Sequence, residues 1–262
     1  MEIKNLTPEY NHTYFVCLEN WSEEMKESGD HKEKWFNKMK ERRLGVKIAV
    51  EEDKVCGMIQ YIPIEESFVI GKDLYLILCI WVHGYKKGIG NHQKRGIGKT
   101  LIRSAEEDVR SKNAKGMAAW GISLPFWMKA SWFRKQGYQK VDKDGTAVLL
   151  WKPFGDDAIP PRWIKKTKEP EKGIGVVNVT GFINGWCPAQ NLVFERAKKA
   201  SSEFGEKVKF EMVDTSDRET YLKWSISDAL YIDSKRIRTG PPPSYEKIRK
   251  LIAKRVKKLK GS

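Results

Sequence analysis

One stretch constrains this chain more than any other. Nine nearly continuous apolar residues, Leu74 to Val82, run into a loop with glycines at 84, 88, 90, 96 and 98. Beyond it Leu101, Ile102, Ala105 and Val109 recur at helical spacing. An unbroken apolar run of this length predicts a central strand buried on both faces. The spacing after it predicts an amphipathic helix. A glycine turn between the two lets the backbone approach a ligand and aim N–H groups at it, and the helix start adds partial positive charge. Lys94, Arg95 and Lys99 add full charges. The guest such a turn suits is a pyrophosphate. A tight turn that binds nothing is the plainer alternative.

The loop holds two similar pieces, Lys86–Gly90 and Lys94–Gly98. Only the second enters helical periodicity, so Gln93–Gly98 is read as the cradle and Tyr85–His92 as an insertion. Two nucleotide motifs fail here by one residue. A Walker loop needs glycine where Gln93 stands, five residues before Gly98-Lys99-Thr100. A dinucleotide fingerprint needs glycine where Leu101 follows Gly96-Ile97-Gly98-Lys99-Thr100. Both stay as runners-up.

Around this stretch the pattern predicts helix, helix, strands, helix, strand, helix, strand. Tyr14, Leu18 and Trp21 suggest a first helix, and His31–Arg42 a second. Val46–Val50 and Val55–Ile62 flank the polar turn Glu51–Lys54 as a hairpin. Gly116–Ile122 reads as a strand, Phe126–Gln136 as a helix stopped by Gly137, and Val141 with Ala147–Trp151 as closing strands. A Pro- and Gly-punctuated, then wholly polar, segment follows. The expected division is a first domain over 1–154, a linker over 155–172 and a second domain over 173–262. The second reads β-α-β (Ile174–Thr180, Gln190–Phe204, Val208–Val213), then a hairpin (Ala229–Ile232, Arg236–Arg238) and a helix capped by Ser244.

Cys17, Cys56, Cys79 and Cys187 form no C-x-x-C pair, which points to neither zinc nor a disulfide framework. No run reaches the roughly 18 apolar residues of a membrane span, and no secretory signal opens the sequence. A cytoplasmic setting is the expectation. The net charge of +15 favours acidic partners. An acidic partner such as RNA is compatible with it, though no recognition motif supports one. Oligomeric state is not readable.

The segment Gln93-Lys94-Arg95-Gly96-Ile97-Gly98 resembles the acetyl-CoA signature Q/R-x-x-G-x-G/A of the GNAT superfamily of N-acetyltransferases, with Gln93, Gly96 and Gly98 in its fixed places. The resemblance covers about 1–154. It implies an α/β (α+β) fold with a mixed central sheet flanked by helices, acetyl-CoA as donor and an amine as acceptor. It further implies that main-chain groups of Ile80, Trp81 and Val82 meet the pantetheine arm, and that Lys94, Arg95, Ile97, Lys99 and Thr100 join the cradle. In the family a late-helix pattern N-x-x-A-x-x-Y-x-x-x-G-F/Y often supplies a tyrosine general acid. Ala130, Gly137 and Tyr138 match it, but Trp127 and Phe133 stand at the asparagine and tyrosine positions. Both are carried as ligand-facing candidates. His83 is the candidate general base, since imidazole titrates near neutrality; a loop histidine bonded to backbone is the alternative, and Glu65 or Glu66 are others. Trp120, Trp127 and Trp132 suggest an aromatic wall or core.

Residues 173–259 resemble a smaller thioredoxin-like domain of the YoaP type, seen at the C-terminus of some bacterial and archaeal GNAT proteins. Trp186-Cys187-Pro188 before a helix carries the likeness. Gln190 stands where a resolving cysteine would be, so an internal dithiol cycle is excluded. Three functions follow: an N-acetyltransferase, a CoA-binding sensor or partner-binding protein, and, last, a redox protein acting through Cys187. The acceptor amine is not legible.

Overall fold

A computed structural model describes residues 1–124, 127–165 and 168–259. The elements run β1 (Glu2–Asn5), α1 (Asn11–Phe15), α2 (Glu23–Lys26), α3 (His31–Lys40), β2 (Gly45–Glu51), β3 (Lys54–Pro63), β4 (Val69–Ile70) and β5 (Leu74–Val82). Then come α4 (Ile97–Ser111), β6 (Gly116–Ile122), α5 (Ala130–Lys135), β7 (Gln139–Asp144), β8 (Ala147–Pro153) and β9 (Arg162–Trp163). The C-terminal part adds β10 (Val177–Ile183), α6 (Pro188–Ser202), β11 (Val208–Asp214), α7 (Arg218–Trp224), β12 (Ala229–Ile232), β13 (Lys235–Ile237) and α8 (Tyr245–Leu259). Backbone contacts divide the chain into one unit of Met1–Trp21 with Asn37–Ile164, and a second of Ser22–Phe36 with Lys165–Ser262.

The first unit is built on a mixed seven-stranded sheet in the order β1-β2-β3-β5-β6-β8-β7. All neighbours are antiparallel except β5 and β6. The apolar run at 74–82 is, as its composition demands, a central strand, and α4 makes the crossover that a parallel neighbour requires. Helix α4 buries Ile97, Leu101, Ile102, Ala105 and Val109 against the sheet, in a core with Ile59, Ile77, Met117, Phe133 and Leu150. The approach is close because β3 carries Gly57, where a Cβ would lie 3.0 Å from Ile97 Cγ2 and Leu101 Cδ1.

Several elements differ from the sequence reading. The first helix stops at Phe15, because Cys17 (φ 57°) and Leu18 (φ 65°) are left-handed, which ends a helix. Strand β1 precedes it. The late helix is only Ala130–Lys135; its expected first residue, Phe126, lies outside the described residues. Part of the 155–172 stretch expected as a linker is structured: β9 pairs with β4, and the Trp163 ring stacks on Phe68. Lys166 and Thr167 lie outside the described residues.

The second unit has a four-stranded sheet in the order β11-β10-β12-β13. Strands β10 and β11 are parallel, and β12 runs antiparallel to both β10 and β13. Helices α6 and α8 bury Val193, Ala197, Ile248, Ile252 and Val256 on it. Ser244 caps α8 by accepting from Lys247 N at 3.3 Å. The stretch 22–36 is held to α6 by Arg196, which donates to Glu24 (2.8 Å) and Glu27 (3.1 Å), and by His31 with Glu195 (2.7 Å).

Candidate functional site

Strands β5 and β6 pair only from Leu74↔Gly116 to Ile77↔Ala119, although both run further. Beyond that point they part. The parting coincides with a bulge: β3 residues Gln60 and Tyr61 pair with Cys79 and Ile77, so Leu78 is an extra residue in β5. Bulges bend strands and end pairing in this way. The Trp120 indole spans the opening and donates to the Leu78 carbonyl at 2.9 Å. At the other end Gln93 Nε2 donates to the Val82 carbonyl at 3.1 Å. Ile80 lies two residues from Val82, on the same strand parity, so its main-chain groups face the same gap.

The glycine loop brings the start of α4 to this end of β5. Gly96 is the residue before the helix, with φ 82°, a left-handed value that favours glycine. No side chain caps the helix, and nothing lies within 4 Å of a Cβ built at Gly96. The first N–H groups of α4 therefore face an open space, the arrangement that receives anions. Lys94, Lys99 and Thr100 are exposed around it. Arg95 is committed elsewhere. Its Nη2 and Nη1 donate to the two Glu51 oxygens at 2.7 and 2.9 Å, and Nη1 also to His92 Nδ1 at 2.9 Å. The Arg95 hydrogen bonds hold the Glu51 carboxyl below the usual carboxylate range. Arg95 thus fastens the loop to the end of β2 and is not a free cation.

His83 corrects the sequence reading. The residue is wholly buried. Its Nδ1–H donates to the Gly90 carbonyl at 2.7 Å, and its Nε2 accepts from Trp21 Nε1 at 3.2 Å. Both nitrogens are used, so neither is available to take a proton from an amine. The imidazole instead pins the first glycine turn, with His92 N donating to the His83 carbonyl at 2.9 Å. Glu65 and Glu66 are also engaged, accepting from Asp73 N (2.8 Å) and Arg42 Nη1 (2.6 Å).

Phe133 corrects it as well. Its ring is fully buried against Trp132 and Tyr138 and forms part of the core, so it faces no ligand. The residue toward the loop is its neighbour: Trp132 Cζ2 lies 3.2 Å from where a Gly98 Cβ would be, with Val82 beside it. Trp127 is partly exposed and meets Trp120 edge-on at 5.4 Å. The structure therefore gathers Ile80–Val82, Gln93–Thr100, Trp120, Trp127 and Trp132 at one end of the sheet. Sequence patterning offers Trp120 as aromatic wall or core but not its bond to the Leu78 carbonyl, because that place depends on where β5 and β6 stop pairing. Among the described residues no cluster of His, Cys, Asp or Glu could hold a metal ion, and no helix is long and apolar enough to cross a membrane.

In the second unit Cys187 is the residue before α6 and forms no disulfide with another described cysteine. Near the same end of that sheet Asp228 accepts from Asn184 N (3.0 Å) and from Ser227 Oγ (2.8 Å). Burial pushes its carboxyl up to about 6.

Comparison with known proteins gives one family match. The model of the acetyltransferase (GNAT) family matches residues 3–138, just over half of the 262 residues. No curated protein matches the chain. Among solved structures, the chain is similar to the PaiA N-acetyltransferase of Thermoplasma acidophilum in complex with coenzyme A, at 21% identity and a TM-score of 0.44, over 58% of this chain and 98% of that one. It is similar to a GNAT family acetyltransferase of Brucella melitensis in complex with acetyl-CoA, at 17% identity and 0.40, over 62% and 94%. It is also similar to an aminoglycoside 6'-acetyltransferase type Ii, at 18% and 0.44, over 58% and 97%.

Proposed function

Because the chain belongs to the acetyltransferase (GNAT) family, and is an acyltransferase by that membership, we propose that it transfers an acetyl group from acetyl-CoA to the nitrogen of an amine. One observation carries the reading: β5 and β6 part beside an uncapped, glycine-led helix start. The N–H groups at Gly96–Thr100, with Lys94 and Lys99, suit the pyrophosphate. The Ile80 and Val82 main chain suits the amide-bearing arm. Acetyl-CoA, when bound, supplies an acyl group on a thiol leaving group.

The chain's own residues then contribute mainly by position. Main-chain N–H groups in the gap polarise a carbonyl placed there. The tryptophans at 120, 127 and 132 shield the gap from water and orient the amine. With His83 sealed and phenylalanine at 133, water is the proton carrier.

A second reading, a CoA-binding sensor or partner-binding protein without turnover, is favoured by those same two residues. Thiol release from acetyl-CoA over a panel of small amines and peptide N-termini separates the two. Turnover on any amine supports the transferase; tight binding with no release across the panel supports the sensor.

The second unit fits a thioredoxin-like domain of YoaP type, since β10-α6-β11 is a parallel unit followed by the β12-β13 hairpin and α8. With Gln190 in place of a second cysteine, it acts as a recognition module. The four cysteines form no disulfide among the described residues, which suits a reducing cytoplasm.

A further inference from the structure

The positive charge is unevenly spread. From Lys165 to the end the sequence holds 22 lysines and arginines against 12 acidic residues, so +10 of the net +15 lies in the last 98 residues. Helix α8 concentrates it, with seven basic residues among the fifteen and a single acidic one, Glu246.

These seven are not equivalent. Arg249 is paired with Glu203, and Arg255 lies 3.9 Å from Asp233. Lys247, Lys250, Lys254 and Lys257 are exposed, and among the described residues none has a carboxylate within ion-pair distance. Their spacing of three, four and three residues puts them on one stripe. At 1.5 Å per residue the stripe is about 15 Å long. The hairpin beside Arg255 adds exposed Lys235 and Arg236.

We propose that this outer face of α8 binds the phosphate backbone of nucleic acid without regard to base sequence. A duplex presents one phosphate per roughly 1.7 Å of axis, so the stripe spans about nine of them and four lysines find partners on a straight rod. An anionic bilayer is the poorer match. A helix that lies in a membrane surface needs a free apolar face, and that of α8 is spent, with Ile248, Ile252 and Val256 buried on its own sheet. The stripe carries no aromatic side chain to stack on bases, which predicts equal treatment of DNA and RNA.

The test uses the full chain and fluorescence anisotropy with labelled 20-base-pair duplexes of mixed sequence, one DNA and one RNA. Both bind in the micromolar range at 50 mM salt. Four phosphate contacts give a log–log salt slope of about −3.6, so affinity falls on the order of 100-fold by 200 mM. Replacing the four lysines with glutamine, which keeps helix propensity, weakens binding at least 30-fold and flattens the slope. The four-arginine variant binds as well as the parent. Acetyl-CoA binding is the same in all three proteins, which separates this proposal from the transferase reading. Absence of duplex binding at 50 mM salt, a glutamine variant that binds like the parent, or capture by phosphatidylserine vesicles in place of duplexes would overturn it.

Discussion

The Asp228 carboxyl makes a quantitative demand on stability. Asp228→Asn removes the charge but keeps an oxygen to accept from Asn184 N, and Ser227 Oγ can turn to accept from the new amide. Burial raises the carboxyl from its ordinary 3.8 to about 6. A carboxyl raised on folding stabilises the folded state below its unfolded value, and that contribution disappears as pH rises through the folded one. At about 1.4 kcal/mol per pH unit, the parent loses about 3 kcal/mol in all relative to the variant, about 2.5 of it between pH 4 and pH 7. Residual solvent contact at Asp228 makes this an upper figure. Urea unfolding of both proteins, followed across pH, reads the difference directly. The variant gains about 0.5 kcal/mol at pH 4, about 1.5 at pH 5 and up to about 3 at pH 7 and above. A difference that stays flat with pH, or that favours the parent at pH 8, would refute the argument that the carboxylate is ionised at a desolvation cost.

Three further outcomes follow from the first unit. Gly57→Val pushes Ile97 and Leu101 off β3, costs about 1–3 kcal/mol in thermal unfolding, and weakens acetyl-CoA binding through the displaced helix start. Because Arg95 holds Glu51 ionised, the loop clasp persists until pH falls through that lowered value. Glu51→Gln should raise the dissociation constant for acetyl-CoA several-fold at neutral pH, with no further loss on acidification, whereas the parent weakens only at acid pH; calorimetry at two pH values checks this. Trp120→Phe leaves the Leu78 carbonyl without its donor, and costs about 1–2 kcal/mol of stability together with a fall in the rate of thiol release.

Much of this fold was legible because burial on two faces writes a plain pattern. Strands β5 and β6 begin and end where the apolar runs at 74–82 and 116–122 do. The start of α4 was legible from glycine and periodicity together. What escaped depended on partners distant in sequence or on local backbone choices. The Tyr14, Leu18, Trp21 spacing looks helical, yet two left-handed residues intervene. Helix α7 buries only Tyr221, so it has no apolar stripe; its signal was the Asp217 cap, which accepts from Thr220 N at 2.9 Å. The fate of His83 rests on Trp21, 62 positions away. The choice between Phe133 and Trp132 rests on how a six-residue helix is turned, which pattern matching by position does not capture. The parting of β5 from β6 has no local signature, because it is set by a bulge opposite Gln60 and Tyr61.

In the proposed transferase the Gly96 turn receives the pyrophosphate of acetyl-CoA. Titration calorimetry of acetyl-CoA into the parent and into Gly96→Glu tests it most directly, since the new side chain would bring a carboxylate and a strained left-handed backbone into the open space at the start of α4. Saturable binding by the parent and a loss of at least 30-fold in the variant, with the fold intact by circular dichroism, are expected. Equal affinity in both proteins, or no binding to the parent, would contradict it.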